Sequence, residues 1–367
     1  MQFPKFLPKK FLGIDIGTSA IKIVELSSFA GRIKLENYGE IAAKVLYQKP
    51  FRTFEKSTLL FSADDISRAI KAVLEEAKIK TKESIFSIPD FATLFTTFEL
   101  PPMTAEELPQ AVSAEARKQV PLPLGEVTLD WQLIEGKVSD QKAPHQYGGR
   151  GLKILLVAVP NEIINQYQHI AELSNLKLLA LEAEVFGLIR SLIEKKERGV
   201  IGLIDIGART TTCSIIEKRI LKISHSFDIS GDDLTERIAK GLEMGEEMAE
   251  NLRRKYGILI SPPQFPPESK DIREILLPLI DIILRECEKI FRNFYLKEGK
   301  EIDKIILAGG TALLPGILEH FQNYFKKEIE LSNPFLKIFF PPILEKTLKE
   351  MGPSYAIAVG MALRGFE

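Results

Sequence analysis

Two distant stretches of this chain repeat one plan. Phe11 to Ile16 is apolar and ends in Asp15-Ile16-Gly17-Thr18-Ser19, after which Ile21, Ile23, Val24 and Leu26 resume the apolar run. Far downstream, Val200-Ile201-Gly202-Leu203-Ile204 leads into Asp205-Ile206-Gly207-Ala208-Arg209-Thr210, and Thr211 to Ile216 continues it. β-Branched runs on either side of a short polar turn predict a β-hairpin. A degenerate repeat at this separation is not a solenoid period. It predicts an α/β chain with two domains on a shared strand plan. A single Asp-x-Gly turn occurs by chance in many strands, whereas a pair, each between strands and followed by Thr or Ser, restricts the choice.

The turns carry phosphate chemistry. A tight turn points successive backbone N–H groups at one place and forms an anion nest. Gly17 lets the backbone come close, Thr18 and Ser19 add hydroxyl donors, and Lys22 adds a positive charge. Asp15 repels phosphate, so its role is to hold a hydrated Mg²⁺ through water, because magnesium keeps most of its waters. Asp205 either does the same from the second turn, with Gly207, Arg209, Thr210 and Thr211 around it, or orients an attacking water. Gly309-Gly310-Thr311 follows an apolar strand and precedes a helical pattern. There an adenine or ribose can lie on the backbone, with helix N–H groups facing the phosphates. On these grounds the paired turns clamp one Mg·ATP between two halves.

Other chemistries find less support. The 367 residues predict two or more domains. Lys and Arg total 49 against 50 for Asp and Glu, a balance that disfavours a general nucleic-acid binder. Arg253, Arg254 and Lys255 are flanked by Glu243, Glu246, Glu247 and Glu250, as on a solvated helix face. Cys213 and Cys287 make neither a disulfide framework nor a zinc site, which points to a reducing cytosol. His145, His169, His225 and His320 show no ligand spacing. No apolar run reaches a membrane span. The basic, aromatic stretch Met1 to Lys10 is either a frayed terminus or a surface for anionic lipid.

Between the repeats the pattern predicts a helix from Ser62 to Ala77, a short strand from Ser84 to Pro89 and a strand from Leu94 to Leu100. Thr104 and Glu107 form a capping box for a helix that ends before Pro121. Thr128–Ile134 and Lys153–Val159 are predicted strands around a polar loop, Gly136 to Gly151, and Asn161–Ser174 is a helix. This block is expected to be an insert over 91–177. Beyond a proline-rich loop, Ile258 to Lys270, lies a long helix whose Pro278 either kinks it or marks its start. A last helix is expected over Ser354–Arg364.

In order, Phe11–Lys22, Gly202–Ser214 and Lys304–Gly316 resemble the two phosphate motifs and the adenosine motif of the actin-like ATPase superfamily. Ser230-Gly231-Asp232-Asp233-Leu234 and Ala249 to Gly257 resemble the bacterial actin homologues, which places Gly231 and Asp232 at the nucleotide and Glu250 and Arg253 at the nucleoside. Glu184 falls where other members keep a water-positioning polar residue. The implied fold is two ribonuclease-H-like domains with an inserted α+β subdomain of the 1C type. The expected divisions are 11–90 with 178–198 and 353–367 for domain 1A, and 91–177 for 1C. Domain 2A takes 199–230 with 302–352, and 2B takes 231–301.

Within that clan, Ser87-Ile88-Pro89, Phe98 to Pro101, Glu115 to Leu124, Val127 to Trp131, Ile154 to Pro160 and Tyr355 to Arg364 resemble the PilM family of type IV pilus assembly proteins. The resemblance implies an ATP-binding cytoplasmic adaptor at the inner face of the membrane. It would bind the N-terminal cytoplasmic peptide of the membrane protein PilN in a groove between 1A and 1C. Motor and platform components, and a homo-oligomeric ring, are further implied partners. Phe95, Phe98, Leu100, Val120 and Leu122 are candidate groove residues, with plain subdomain core as the competing reading. Arg209 stands where much of the superfamily has a glycine, which predicts nucleotide binding with slow turnover. The alternatives are a division or filament protein resembling FtsA and a small-molecule kinase of the clan. Proteins of the FtsA type carry a linker and an amphipathic helix after the core, whereas this sequence stops at Gly365-Phe366-Glu367 directly after the expected last core helix, and no extra acidic cluster offers a kinase base.

Overall fold

The computed structural model describes residues 8–46, 50–52, 59–138, 151–259 and 268–367. The expected N-terminal segment up to Leu7, the loop over 139–150 and most of the proline-rich loop lie outside them.

The first repeat forms the antiparallel strands β1 (Lys9–Ile16), β2 (Ala20–Phe29) and β3 (Arg32–Ala42), followed by a helical turn, α1 (Ala43–Leu46). Helix α2 (Ala63–Glu76) starts as expected, with the Ser62 hydroxyl accepting from the Asp65 N–H. Strand β4 (Glu83–Ile88) then pairs in parallel with β1. Strand β5 (Leu94–Leu100), helix α3 (Leu108–Gln119), β6 (Val127–Glu135) and β7 (Leu152–Pro160) come next. The Thr104–Glu107 capping box is present, each residue bonding the other's backbone N–H. Helix α4 (Asn161–Leu173), β8 (Lys177–Ala183) and α5 (Glu184–Leu192) complete this half.

The second half repeats the scheme with β9 (Val200–Ile206), β10 (Thr211–Glu217) and β11 (Ile220–Phe227). Helices α6 (Gly231–Gly241), α7 (Glu246–Tyr256) and α8 (Glu268–Glu298) follow. Then come β12 (Lys304–Ala308), α9 (Ile317–Phe325), β13 (Glu328–Leu331) and α10 (Glu345–Arg364). Strand orders β3-β2-β1-β4-β8 and β11-β10-β9-β12-β13 match position for position, so the sequence repeat is a structural one.

Strands β5-β7-β6 form a separate antiparallel sheet. Its alternation sorts side chains to two faces. Phe98, Leu100, Ile154 and Leu156 pack under α3 with Val112, Ala116 and Val120. Phe95, Ile134 and Leu155 point the other way, onto α5 and the second sheet. Helix α4 ends the segment expected as the insert, yet Ile163, Tyr167 and Ile170 join the core under the first sheet. It fills the place between fourth and fifth strands that α9 fills in the second half. By packing, the three-stranded unit ends with β7.

Two helices carry an internal proline, which excludes one of the two expected roles of Pro278 and lengthens the last helix beyond expectation. Pro278 lies inside α8 and neither begins nor ends it. Helix α10 starts at Glu345 and passes through Pro353, one N–H short, because tertiary contacts outweigh the missing bond. Helices α5 and α10 join the two halves, and they cross backbone to backbone. A Cβ added at Gly360 would lie 2.0 Å from the Gly187 carbonyl oxygen. Cys213 and Cys287 are buried and free, the Cys213 side chain within the second core.

Candidate functional site

Both turns close alike. The Gly17 N–H donates to the Ala20 carbonyl at 3.0 Å around the tip Thr18-Ser19. The Gly207 N–H donates to the Thr210 carbonyl at 2.9 Å around Ala208-Arg209. Asp15 sits across the ladder from Lys22, on one face of the sheet. The first tip is anchored by the chain leaving β3. The Ala43 N–H bonds the Ser19 carbonyl, and the Phe51 N–H bonds the Thr18 carbonyl, each at 2.8 Å.

The second tip is tied to the helices above it. The Gly207 carbonyl accepts from the Thr311 hydroxyl at 2.9 Å and from the Gly231 N–H at 3.1 Å. The Ala208 carbonyl accepts from the Ser230 hydroxyl at 2.7 Å and the Asp232 N–H at 2.8 Å. Buried Arg253 donates to the Gly231 carbonyl at 2.8 Å. Gly207, Gly231, Arg253 and Thr311 therefore converge, and Thr311 and Arg253 act as braces of the backbone. Gly309 has φ +87, and a Cβ there would meet the Ile206 oxygen at 2.3 Å and Asp205 Oδ1 at 2.5 Å. Only glycine lets this turn lie against the second Asp-Ile-Gly.

Other candidates are placed differently. The buried Thr211 hydroxyl is committed to the Ile229 carbonyl at 2.5 Å. Gly310 faces Ser354. Arg209 turns to Asp232, Nε to Oδ2 at 3.4 Å, with both side chains about half exposed. Glu250 pairs with Arg254 and, at 2.5 Å, with Lys44 of the first half. Of the five groove candidates, Phe98, Leu100 and Val120 are buried in the insert core and Phe95 stacks edge-on against Phe186. Only Leu122 is exposed. For Phe98, Leu100 and Val120 the competing reading, plain subdomain core, is the one the packing supports.

Beneath the cradles lies a charged cluster. Asp15, Asp90 and Glu184 are each 4% exposed, and Asp205 is partly buried. Arg52 Nη2 contacts Glu184 Oε1 at 2.5 Å, and Ser87 donates to Asp15 at 2.8 Å. The Asp90 N–H donates to Glu184 Oε2 at 3.2 Å, while Asp90 Oδ1 accepts from the Val185 N–H at 3.1 Å, capping α5 from another segment. Burial, then the Glu184 and Asp15 charges, push the Asp205 carboxyl up to about 7, against Arg52 and Lys22. Burial also raises Glu184, against the pull of Arg52. Asp90 is raised well above the usual range by burial and by Glu184. Arg52, Ser87 and Asp90 were missed from sequence. Only an Asp directly after the strand-ending Pro89 hinted at one of them.

These residues fit a hydrated cation. Four carboxylates surround one guanidinium, an excess of negative charge that water alone compensates poorly. Among the described residues no three His, Cys, Asp or Glu side chains are grouped to hold a metal directly. Asp15 and Asp205, one from each cradle, would thus hold Mg²⁺ through its waters.

Two ribonuclease-H-like halves around paired Asp-Ile-Gly turns define the actin-like ATPase fold. The family described as type IV pilus assembly protein PilM matches residues 13–366, and the chain belongs to that family. The chain is similar to the protein of a PilM–PilN type IV pilus biogenesis complex, with a TM-score of 0.80 and 23% identity, covering 97% of this chain and 98% of that one. It is similar to cell division protein FtsA of Streptococcus pneumoniae, 23% identical over 88% of this chain and 75% of FtsA. An MreB of Spiroplasma citri bound to AMPPNP shares the fold at a TM-score of 0.51 and 13% identity, over 93% of this chain and 97% of that one. Among the described residues, no helix is long and apolar enough to cross a membrane.

Proposed function

We propose that the chain is a nucleotide-binding adaptor of the type IV pilus assembly platform at the inner, cytoplasmic face of the membrane. The PilM–PilN complex to which it is similar supports a PilN-like membrane protein as partner. The N-terminal cytoplasmic peptide of that partner would dock between the first half and the insert, as an extended peptide does on a rigid scaffold. Motor and platform components and further copies of this chain in a ring would complete the assembly.

The observation that carries the nucleotide half is the pair of cradles closed by equivalent Gly17 and Gly207 hydrogen bonds over Asp15 and Asp205. The Mg²⁺ of bound Mg·ATP would supply the positive charge that the carboxylate cluster needs, and the nucleotide a phosphate chain reaching both cradles. Gly17, Thr18, Ser19 and Lys22 hold phosphate from one side, and Gly207 and Thr210 from the other. Gly309 lets the third turn lie against the second cradle, and the nucleoside would rest beside Gly310. Asp205 and Glu184 orient water in a slow hydrolysis. Nucleotide acts here mainly as a conformational ligand that draws the halves together. The test is fluorescent ADP and ATP titration with and without Mg²⁺. Tight Mg-dependent binding that Asp15→Asn weakens at least tenfold supports the reading, and Mg-independent or absent binding refutes it.

A further inference from the structure

The buried guanidinium beneath the first cradle has unused capacity. Arg52 is 6% exposed, and its Nη2 is engaged by Glu184. Its Nε and Nη1 have no hydrogen-bond partner among the described residues. Buried donors left this way are costly, and each one asks for an explanation. Among the described residues the buried Tyr167 hydroxyl makes no well-formed hydrogen bond; Arg52 is the donor beside it, with the Glu184 and Asp15 charges near by. Two buried polar groups with hydrogen-bonding capacity left over thus meet at the carboxylate cluster. An oxyanion would satisfy them, and the planar fork of arginine suits phosphate oxygens.

Arg52 also stands at a junction. The residue before it bonds the tip of the first cradle through the Phe51 N–H and the Thr18 carbonyl. Its own guanidinium lies over the Phe91 ring, 5.5 Å from the centroid. Phe91 belongs to the 3₁₀ turn Asp90–Ala92, the root from which the three-stranded insert leaves the first half. Asp90, next to it, exchanges bonds with Glu184 and Val185 at the start of α5. The same turn packs against β11 of the second half. One side chain therefore touches the group that pairs with it in the nucleotide site and the aromatic ring at the insert's base.

We propose that Arg52 is a phosphate-contacting residue that couples nucleotide occupancy to the root of the insert: its free donors take an oxygen of the terminal phosphate, and the resulting shift of its guanidinium is passed through Phe91 and the Glu184–Asp90 bonds to β5. The proposal rests on the nucleotide reading above. It adds a ligand contact that neither cradle supplies, and a physical route from the cleft to the subdomain.

The test uses the full chain with two readouts, affinity for Mg·AMPPNP and Mg·ADP by calorimetry, and amide hydrogen exchange over 90–100. Wild type is expected to bind both and to gain protection over 90–100 with AMPPNP. Arg52→Gln should weaken AMPPNP on the order of tenfold, leave ADP within about twofold and abolish the change over 90–100. Because that variant strands Glu184, the charge-neutral pair Arg52→Gln with Glu184→Gln is measured beside it and should behave the same way. Arg52→Lys, a cation without the fork, should fall between. Wild-type binding with either glutamine variant retaining the AMPPNP preference, or the protection change, overturns the proposal and leaves the nucleotide reading standing. Failure of wild type to bind either nucleotide removes both.

Discussion

Lys44 Nζ lies 2.5 Å from Glu250 Oε2, an ion pair between α1 of the first half and α7 of the second. It lies just beyond the first cradle, since Ala43 is bonded to Ser19. Glu250 was expected at the nucleoside, and here it also joins the halves. The Lys44 side chain is 62% exposed, so the pair adds little to stability, about 0–1 kcal/mol. Its effect should be kinetic. Lys44→Ala is expected to speed release of fluorescent ADP several-fold at unchanged melting temperature, and the swap Lys44→Glu with Glu250→Lys should restore slow release. Equal release from all variants would deny the pair any part in gating.

The crossing of α5 and α10 should tolerate no added atom. Gly360→Ala places a methyl 2.0 Å from a backbone oxygen. Overpacking of this kind costs about 1–3 kcal/mol. Gly125→Ala, where nothing lies within 4 Å, is the control. Thermal melting should fall clearly for the first and not for the second.

The Asp90 carboxyl gives a dependence on pH. Burial and Glu184 raise its folded value, so the folded chain binds that proton more tightly than the unfolded chain. The associated stability is complete below about pH 4, the unfolded value, and is lost as pH rises through the folded one. Asp90→Asn keeps an acceptor for the Val185 N–H and removes the charge. In the nucleotide-free chain it should raise the melting temperature at pH 8 and leave it unchanged at pH 4. A drop at pH 8 would mean that the carboxylate is paired more strongly than its surroundings suggest.

Arg209 sits at the tip of the second cradle and leans on Asp232. Turnover by the isolated protein is expected below about 1 s⁻¹, under the usual enzyme range. Arg209→Gly should raise it a few-fold with little change in melting, since the pair is exposed. Steady-state phosphate release measures both, and wild-type turnover at ordinary enzyme rates would end the account of ATP as a conformational ligand.

The cradles were legible because they are local. Asp15 to Ser19 and Asp205 to Thr210 announce a turn between apolar strands, and the matching Gly17 and Gly207 bonds follow from that pattern. The insert's strands and its capping box were legible for the same reason. What failed depends on contacts distant in sequence. Nothing near Arg52 says that its guanidinium is buried against Glu184, 132 positions away. For Phe98 and Leu100 groove and core stayed competing readings, because only the arrival of α3 and β7 decides that the face is covered. Pro353 is a helix breaker by propensity, and α10 carries it between the contact of Gly352 with Pro334 and the crossing of Gly360 with Gly187.

The most direct test of the adaptor reading is calorimetric titration of the full chain with a synthetic N-terminal peptide of a PilN-type protein, with and without Mg·AMPPNP. Saturable one-to-one binding whose affinity changes with nucleotide is the predicted result. Absence of binding in both conditions would contradict the account and leave the fold untouched.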